Sequence, residues 1–327
     1  MERHAIRKKA YTFSREAVWK EVARKYFQVF SEVRQNRTKT PRPRHSYVEN
    51  IKAITNFELP EIKLDHLKTL TDDTGILQHA TYTIADRSHG YCTDDNARAL
   101  LVATMGQKYL PTNGSGLDFL SGHYLGFLLY AFNEKNGRFR NFMTYSRQWL
   151  EDIGSDDSHG RAIWCQGKAV VFLENPGHLV MSTTLFKKAL RVVETFISPR
   201  AMAFCLVGMH AYLHKFSGDS DVRRIRDVLA DRLFKQLKNN ATDDWPWLEN
   251  ALNYANGKLS HALLVSGKRM QRSEMVDLGL NSLKWLLAIQ TEDNHFVPIG
   301  CNGWYEKGGH KARFDQQPVE ANAMIEA

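Results

Sequence analysis

Two stretches of the chain are apolar on too many sides to lie at a protein surface. Leu100, Leu101, Val102, Ala103 and Met105 form one, and Leu125, Phe127, Leu128, Leu129 and Phe132 the other. A helix whose apolar residues spread beyond a single stripe has to be covered from more than one direction. The chain therefore calls for two layers of helix, one inside the other. Three- and four-residue apolar steps predict helices near 95–109, 117–132, 160–174, 181–197, 200–216, 219–239, 258–270, 274–290 and 318–327, while two-residue strand alternation is scarce. The intervening loops carry Gly, Pro, Trp and paired acids, which suits an all-α six-hairpin (α/α) toroid better than a four-helix bundle with short, plain turns. No repeat of solenoid length is present. The expected helices fall short of a closed six-hairpin ring, and PVEANAMIEA reaches Ala327 with no Gly or Pro to stop it. An open ring, or a longer natural protein cut here, is expected.

Upstream, Ser14 to Val33 reads as an amphipathic helix. Ser14 is its candidate N-cap, and Val18, Val22, Tyr26, Val29 and Val33 make its stripe, widened by Trp19 and Phe30. The polar, basic run QNRTKTPRPRHS then reads as a linker. The expected organisation is a helical segment at 1–35, a basic linker at 36–58 and a toroid at 59–327.

The formal charge of +8 would ordinarily point to nucleic acid, but residues 1–50 hold 13 basic against 5 acidic side chains, and the remainder is balanced at 31 of each. That asymmetry argues against a basic groove across the main domain and leaves at most a basic arm. Cys92, Cys165, Cys205 and Cys301 are scattered with no C-x-x-C, so neither a disulfide framework nor a zinc knuckle is indicated. No leader pattern follows Met1 and no run is long and apolar enough to span a bilayer, which makes the cytoplasm the expected location. Phosphate-loop, dinucleotide, zincin and hydrolase-elbow motifs are all missing, and no EF-hand spacing supports calcium at the paired acids, so no cofactor and no metal is expected.

Four acid pairs follow a small hydroxyl residue: Asp72-Asp73, Asp94-Asp95, Asp156-Asp157 and Asp243-Asp244. One reading makes them N-caps and first-turn acids facing a helix dipole. The other gathers carboxylates at one rim for general acid/base work on a glycosidic bond, which needs two acids flanking that bond. Their company favours the second. Tyr91, Asp94, Asp95, Asn96 and Arg98 stand at one helix entrance, and Asp157, His159, Arg161 and Trp164 at another. Sugar hydroxyls take polar contacts and sugar ring faces lie on aromatic surfaces. Trp245 and Trp247 precede Glu249, whose carboxyl would be pushed up by an apolar wall as a general acid requires. The alternative for this run is an aromatic corner closing a helix pair. Trp304, Tyr305, Asp315, Gln316, Gln317 and Glu320 lie in or beside a glycine-rich loop. Glu320 also reads as a plain first-turn acid.

Taken together, LDHLKTLTDDTGILQHATYTIADRSHGYCTDDNARAL, SDDSHGRAIW, WPWLENALNY, FVPIGCNGWYEKGG and FDQQPVEA resemble the toroid domain of the six-hairpin glycosidase superfamily, in the form found C-terminal to bacterial family-4-like glycosyltransferases. YTFSREAVWKEVARKYFQVF is similar to the closing helices of such a transferase. The resemblance implies a sugar pocket at the loop-bearing rim around Asp94, Asp95, Asp157, His159, Glu249 and Asp315, an oligosaccharide ligand and a neighbouring glycosyltransferase domain. The leading expectation is glycoside hydrolysis, with a mannose-type oligosaccharide as one case, Glu249 or Asp157 as general acid and Asp95 or Asp315 as base. Two alternatives stand beside it: a sugar epimerase or isomerase using His159 and His261 for proton transfer, and a non-catalytic glycan-binding or regulatory module of a transferase.

Overall fold

The computed structural model describes residues 2–14, 19–39, 61–110 and 116–327. Two compact units divide at Ile62 and Lys63. The first holds α1 (Glu2–Ser14) and α2 (Trp19–Lys39). α2 replaces the single helix expected at 14–33 and runs on into the segment expected to be linker; residues 40–58 of that linker lie outside the described residues. Tyr26, Val29, Phe30 and Val33 of the anticipated stripe are exposed.

The second unit is the toroid. After the short α3 (Asp65–Leu70) come α4 (Thr93–Tyr109), α5 (Leu117–Ala131), α6 (Asp156–Phe172), α7 (Pro176–Ala189), α8 (Pro199–Lys215), α9 (Ser220–Asn240), α10 (Gly257–Met270), α11 (Ser273–Ile289) and α12 (Pro318–Glu326). Local chemistry sets several starts. The Ser155 side chain accepts from the Ser158 amide, Asn175 and Asp219 cap α7 and α9, and Ser198 caps α8 ahead of Pro199, whose fixed φ suits a first helical position. Packing alternates: α4, α6, α8, α10 and α12 pack side by side in that order, while α5, α7, α9 and α11 each fold back on the helix before them. This two-layer arrangement is what the all-round apolar helices required; Leu100, Leu125 and Leu128 are buried. Among the described residues the ring has five inner and four outer helices, and no twelve-helix closure.

Inner helices run parallel, as the tightest contact in the ring demonstrates. A Cβ on Gly160 would meet Ala201 backbone, and one on Gly167 would come within 2.2 Å of the Gly208 carbonyl oxygen. Seven residues forward on α6 match seven forward on α8, so the two axes share a direction. The inner N-termini therefore share one rim. Four of the five connections feeding that rim are long (71–92, 132–155, 241–256 and 290–317) and the fifth, 190–198, is shorter; the fully described ones at the far end are shorter still. One feature differs from expectation: β1 (Leu77–Thr81) and β2 (Ile84–Cys92) form an antiparallel hairpin joined on its outer edge by residues 142–143. Its turn turns on Tyr82, at φ 56°, with none of the Gly or Asn that ordinarily announces a hairpin.

Candidate active site at the inner-helix rim

The rim is crossed by a chain of charges supplied by consecutive inner helices. Asp94 and Asp95 in the first turn of α4 both bind Arg98, Asp94 at 3.0 Å. Asp94 also accepts from Arg161 of α6 at 2.6 Å. Arg161 lies 3.6 Å from Asp157, and Asp157 accepts from the Tyr254 hydroxyl at 2.6 Å and from Ser198 at 2.9 Å. Arg200 of α8 lies under the Tyr254 ring, grips both oxygens of Glu249 at 2.6 and 2.8 Å, and donates to Asn256. Asn256 in turn donates to Glu320 at 3.1 Å. First-turn acids at two helix starts follow the dipole rule, yet here they also link neighbouring helices.

Burial opposes ionisation of Asp94, but the Arg98 and Arg161 guanidiniums outweigh it and hold the carboxyl below its usual range. The Tyr254 hydroxyl is pushed up to about 12 by burial and by Asp157 beside it. Cys92 donates to Asp94 and Asp95, and burial and those two acids push its thiol well up. These three residues could bring ligand atoms together, but Arg98 and Arg161 already neutralise the acids. Replacing Arg161 by Met is expected to destabilise the fold by about 2 kcal/mol, because two carboxylates lose a common counter-charge. Adding Asp94→Asn should restore part of it in urea titrations; equal losses in the single and double variants would disprove the coupling.

Below the rim, side chains of non-adjacent inner helices meet, which is possible only across the hole of the ring. The Lys258 ammonium of α10 sits 4.3 Å from the ring centre of Trp164 on α6. Glu326 of α12 binds Lys258 and, at 2.9 Å, Lys168 of α6. Lys258 is only 1 % exposed. Burial pulls its ammonium down from the ordinary value against the pull of Glu326. His261 lies one turn on, its Nδ1 buried with no hydrogen-bond partner among the described residues. Burial, then Lys258, lowers its pKa to about 4. His210 on α8 is likewise lowered to about 4, first by burial and then by Arg269.

The chain shares its toroid with solved sugar epimerases. A sugar epimerase from a ruminal bacterium superposes with a TM-score of 0.58 at 11% identity, covering 75% of this chain and 72% of that one. Cellobiose 2-epimerase from Bacillus thermoamylovorans B4167 gives 0.59 at 10% identity over 76% and 74%. Such low identity speaks to the fold alone. No protein-family model matches the chain, and no curated protein matches it.

Asp94, Asp95, Arg98, Asp157, Arg161 and Glu249 are thus brought together. Trp304 reaches the group through Tyr254, with ring centres 6.3 Å apart. Asp315 and Gln316 are exposed on the last loop, where Asp315 accepts from Gln317 and Gln316 bonds Pro298. Other expected pocket residues face elsewhere. His159 is fully buried: Nδ1 accepts from the Phe139 amide and Nε2 bonds the Ala189 carbonyl. Both ring nitrogens are committed, so it cannot serve the proton-transfer pair expected of it. Asn96 is buried and braces Ile76 and Cys92. Tyr91 is buried with its hydroxyl on Asp72. Trp245 and Trp247 lie in the core, Trp245 against Trp285 and Tyr305, which realises the aromatic-corner alternative and leaves Tyr305 beside it. Glu249 consequently faces a guanidinium instead of the expected apolar wall. Glu320 is buried, its oxygens on the Ala255 amide and Asn256, and burial raises its pKa. Trp164 is buried as the floor beneath Lys258. Sequence reasoning missed Arg200, Tyr254, Lys168, Lys258, Glu326 and His210. The helical spacing of Asp157, Arg161, Trp164 and Lys168 along one face of α6 was the available signal.

Proposed function

We propose that this protein is a carbohydrate-active enzyme whose chemistry is proton transfer on a sugar, of the epimerase or isomerase class. The observation that carries the reading is His261. It stands at the ring's hole with an unpaired buried ring nitrogen, next to the Lys168–Glu326–Lys258 cluster. A neutral imidazole there is a base for a carbon-bound proton adjacent to a sugar carbonyl. The two ammoniums are placed to stabilise the negative oxygen that develops as the proton leaves. The proton returned to the opposite face of that carbon gives the epimer; returned to the neighbouring carbon, the isomer. His210 takes the place His159 was expected to fill in the histidine pair. The charged rim supplies donors and acceptors for sugar hydroxyls, and the likeness of the fold to solved sugar epimerases supports the same class.

Glycoside hydrolysis finds less support, because Asp94, Asp95 and Glu249 are all held by guanidiniums. Its foothold is Asp157, which accepts two hydroxyls at under 3 Å and has its guanidinium neighbour, Arg161, farther off at 3.6 Å. An oligosaccharide ligand and a glycosyltransferase neighbour remain part of the proposal on the sequence motifs alone, as does the cytoplasm; among the described residues no helix is long and apolar enough to cross a membrane.

The test is incubation of a reducing-sugar and oligosaccharide panel in D2O, read by mass spectrometry and chromatography. Solvent deuterium at carbon without chain shortening is expected, and His261→Asn should lose it at least 100-fold while binding persists. Shortened chains without deuterium would establish hydrolysis, and binding with neither change would establish a recognition module. The rate should fall on acidification only as pH drops through about 4, since His261 is neutral above that value; an acid limb at the ordinary histidine value would count against His261.

A further inference from the structure

A groove of about 780 Å³ runs along the outer face of α5, away from the hole of the ring. One wall is the exposed stripe of that helix: Asp118, Phe119, His123 and Tyr130, with Gly122 and Gly126 as the floor. The other wall is built from Asp73, Arg147 and His178. Phe119 is 70% exposed and Tyr130 56%. Eleven residues separate these rings, which places them about 16 Å apart along the helix axis. Between them the floor is open at Gly126, where nothing lies within 4 Å of where a Cβ would stand, while the His178 ring stands over Gly122, 3.2 Å from its Cβ position.

The lining selects a class of ligand. Charges are present but matched: Arg147 pairs with Asp73 through two 2.8 Å bonds, and His178 faces Asp118 at 3.3 Å. A balanced site has no preference for phosphates or other polyions. Asp73, Asp118, Arg147 and His178 would lose hydration without compensation under a lipid chain or an apolar helix. Exposed ion pairs contribute little to stability, so ligand hydroxyls can replace them at small cost. Aromatic faces at both ends, polar groups along the sides and a floor open at Gly126 match a linear sugar chain several rings long.

We propose that this groove is a second binding site, separate from the rim, for an extended oligosaccharide lying along α5 with sugar rings against Phe119 and Tyr130. The choice of occupant rests on the carbohydrate reading of the rim; the location of the groove does not. Calorimetry with linear hexaoses of glucose, mannose and xylose, and with the three monosaccharides, tests it on the full chain. Binding of at least one hexaose is expected to weaken tenfold or more in Phe119→Ala/Tyr130→Ala and in Gly126→Arg. The Arg fills the floor without touching the core, so the melting temperature should hold. Monosaccharide binding and solvent-deuterium exchange should be unchanged. Hexaose affinity equal to wild type in both variants, or no hexaose binding to wild type, would overturn the proposal. Groove-dependent hexaose binding without any deuterium exchange would instead overturn the epimerase reading and leave the groove standing.

Discussion

Gly167→Ala is expected to destabilise the protein by about 3 kcal/mol, and at this chain length to lower Tm by roughly 5 °C. The added methyl would meet the Gly208 carbonyl oxygen at 2.2 Å and its Cα at 2.9 Å, both backbone atoms. No rotamer change relieves such a clash; α6 and α8 must separate. Their separation disturbs more than packing, because Arg161 on α6 and Arg200 on α8 both meet the Tyr254 ring, at 5.4 and 5.0 Å from its centre. Gly208→Ala should behave alike, since its methyl would face Ile163 and Trp164 backbone at 2.6 and 2.7 Å. Gly126→Ala is the control: its methyl enters open space on an exposed helix face, and the substitution should be neutral or stabilising by up to about 1 kcal/mol. Thermal denaturation of the three variants decides the matter, and a Gly167→Ala protein melting with wild type would refute the tight parallel contact.

Acidification is the second large effect. Above its ordinary value His159 is neutral whether the chain is folded or unfolded, and its full contribution to stability is present. Below that value the unfolded chain takes up a proton, while burial holds the folded imidazole neutral down to about 3. Stability is therefore lost as pH falls between about 6.5 and 3, by about 4 kcal/mol from this side chain. His210 and His261, each lowered to about 4 by burial, add losses of the same sign over an overlapping window. His159→Gln is expected to be less stable at pH 7, because the contacts to Phe139 and Ala189 are disturbed, but to have a flatter pH dependence. Urea midpoints measured from pH 7 to pH 4 check this; parallel curves for variant and wild type would show that His159 does not take part.

The two effects illustrate how legible the fold and the site were. Leu100, Leu101 and Leu128 declared two helical layers because burial on several sides leaves a direct mark in the order of apolar residues. Ser155 marked a helix start because capping is settled within a few residues of chain, whereas the helix expected to begin near 181 starts at Pro176 under an Asn175 cap that the apolar spacing did not reveal. Asp94, Arg98, Asp157 and Arg161 were found by the same kind of local pattern. His159 misled, since an imidazole flanked by Asp157 and Arg161 in sequence points from the helix toward Phe139 and Ala189. Trp247 misled in the same way: proximity to Glu249 along the chain says nothing about which side of the corner its ring enters.

By itself, then, the sequence determined most of the helices, the two layers and the rim at which acids and arginines collect, all consequences of interactions spanning a few residues. Tertiary structure alone decided which polar side chains became core, how Lys258, Glu326, Lys168 and His261 met across the ring, and which acids were left with a guanidinium. Those outcomes depend on contacts between residues tens to hundreds of positions apart, made only when parallel inner helices close around a common hole.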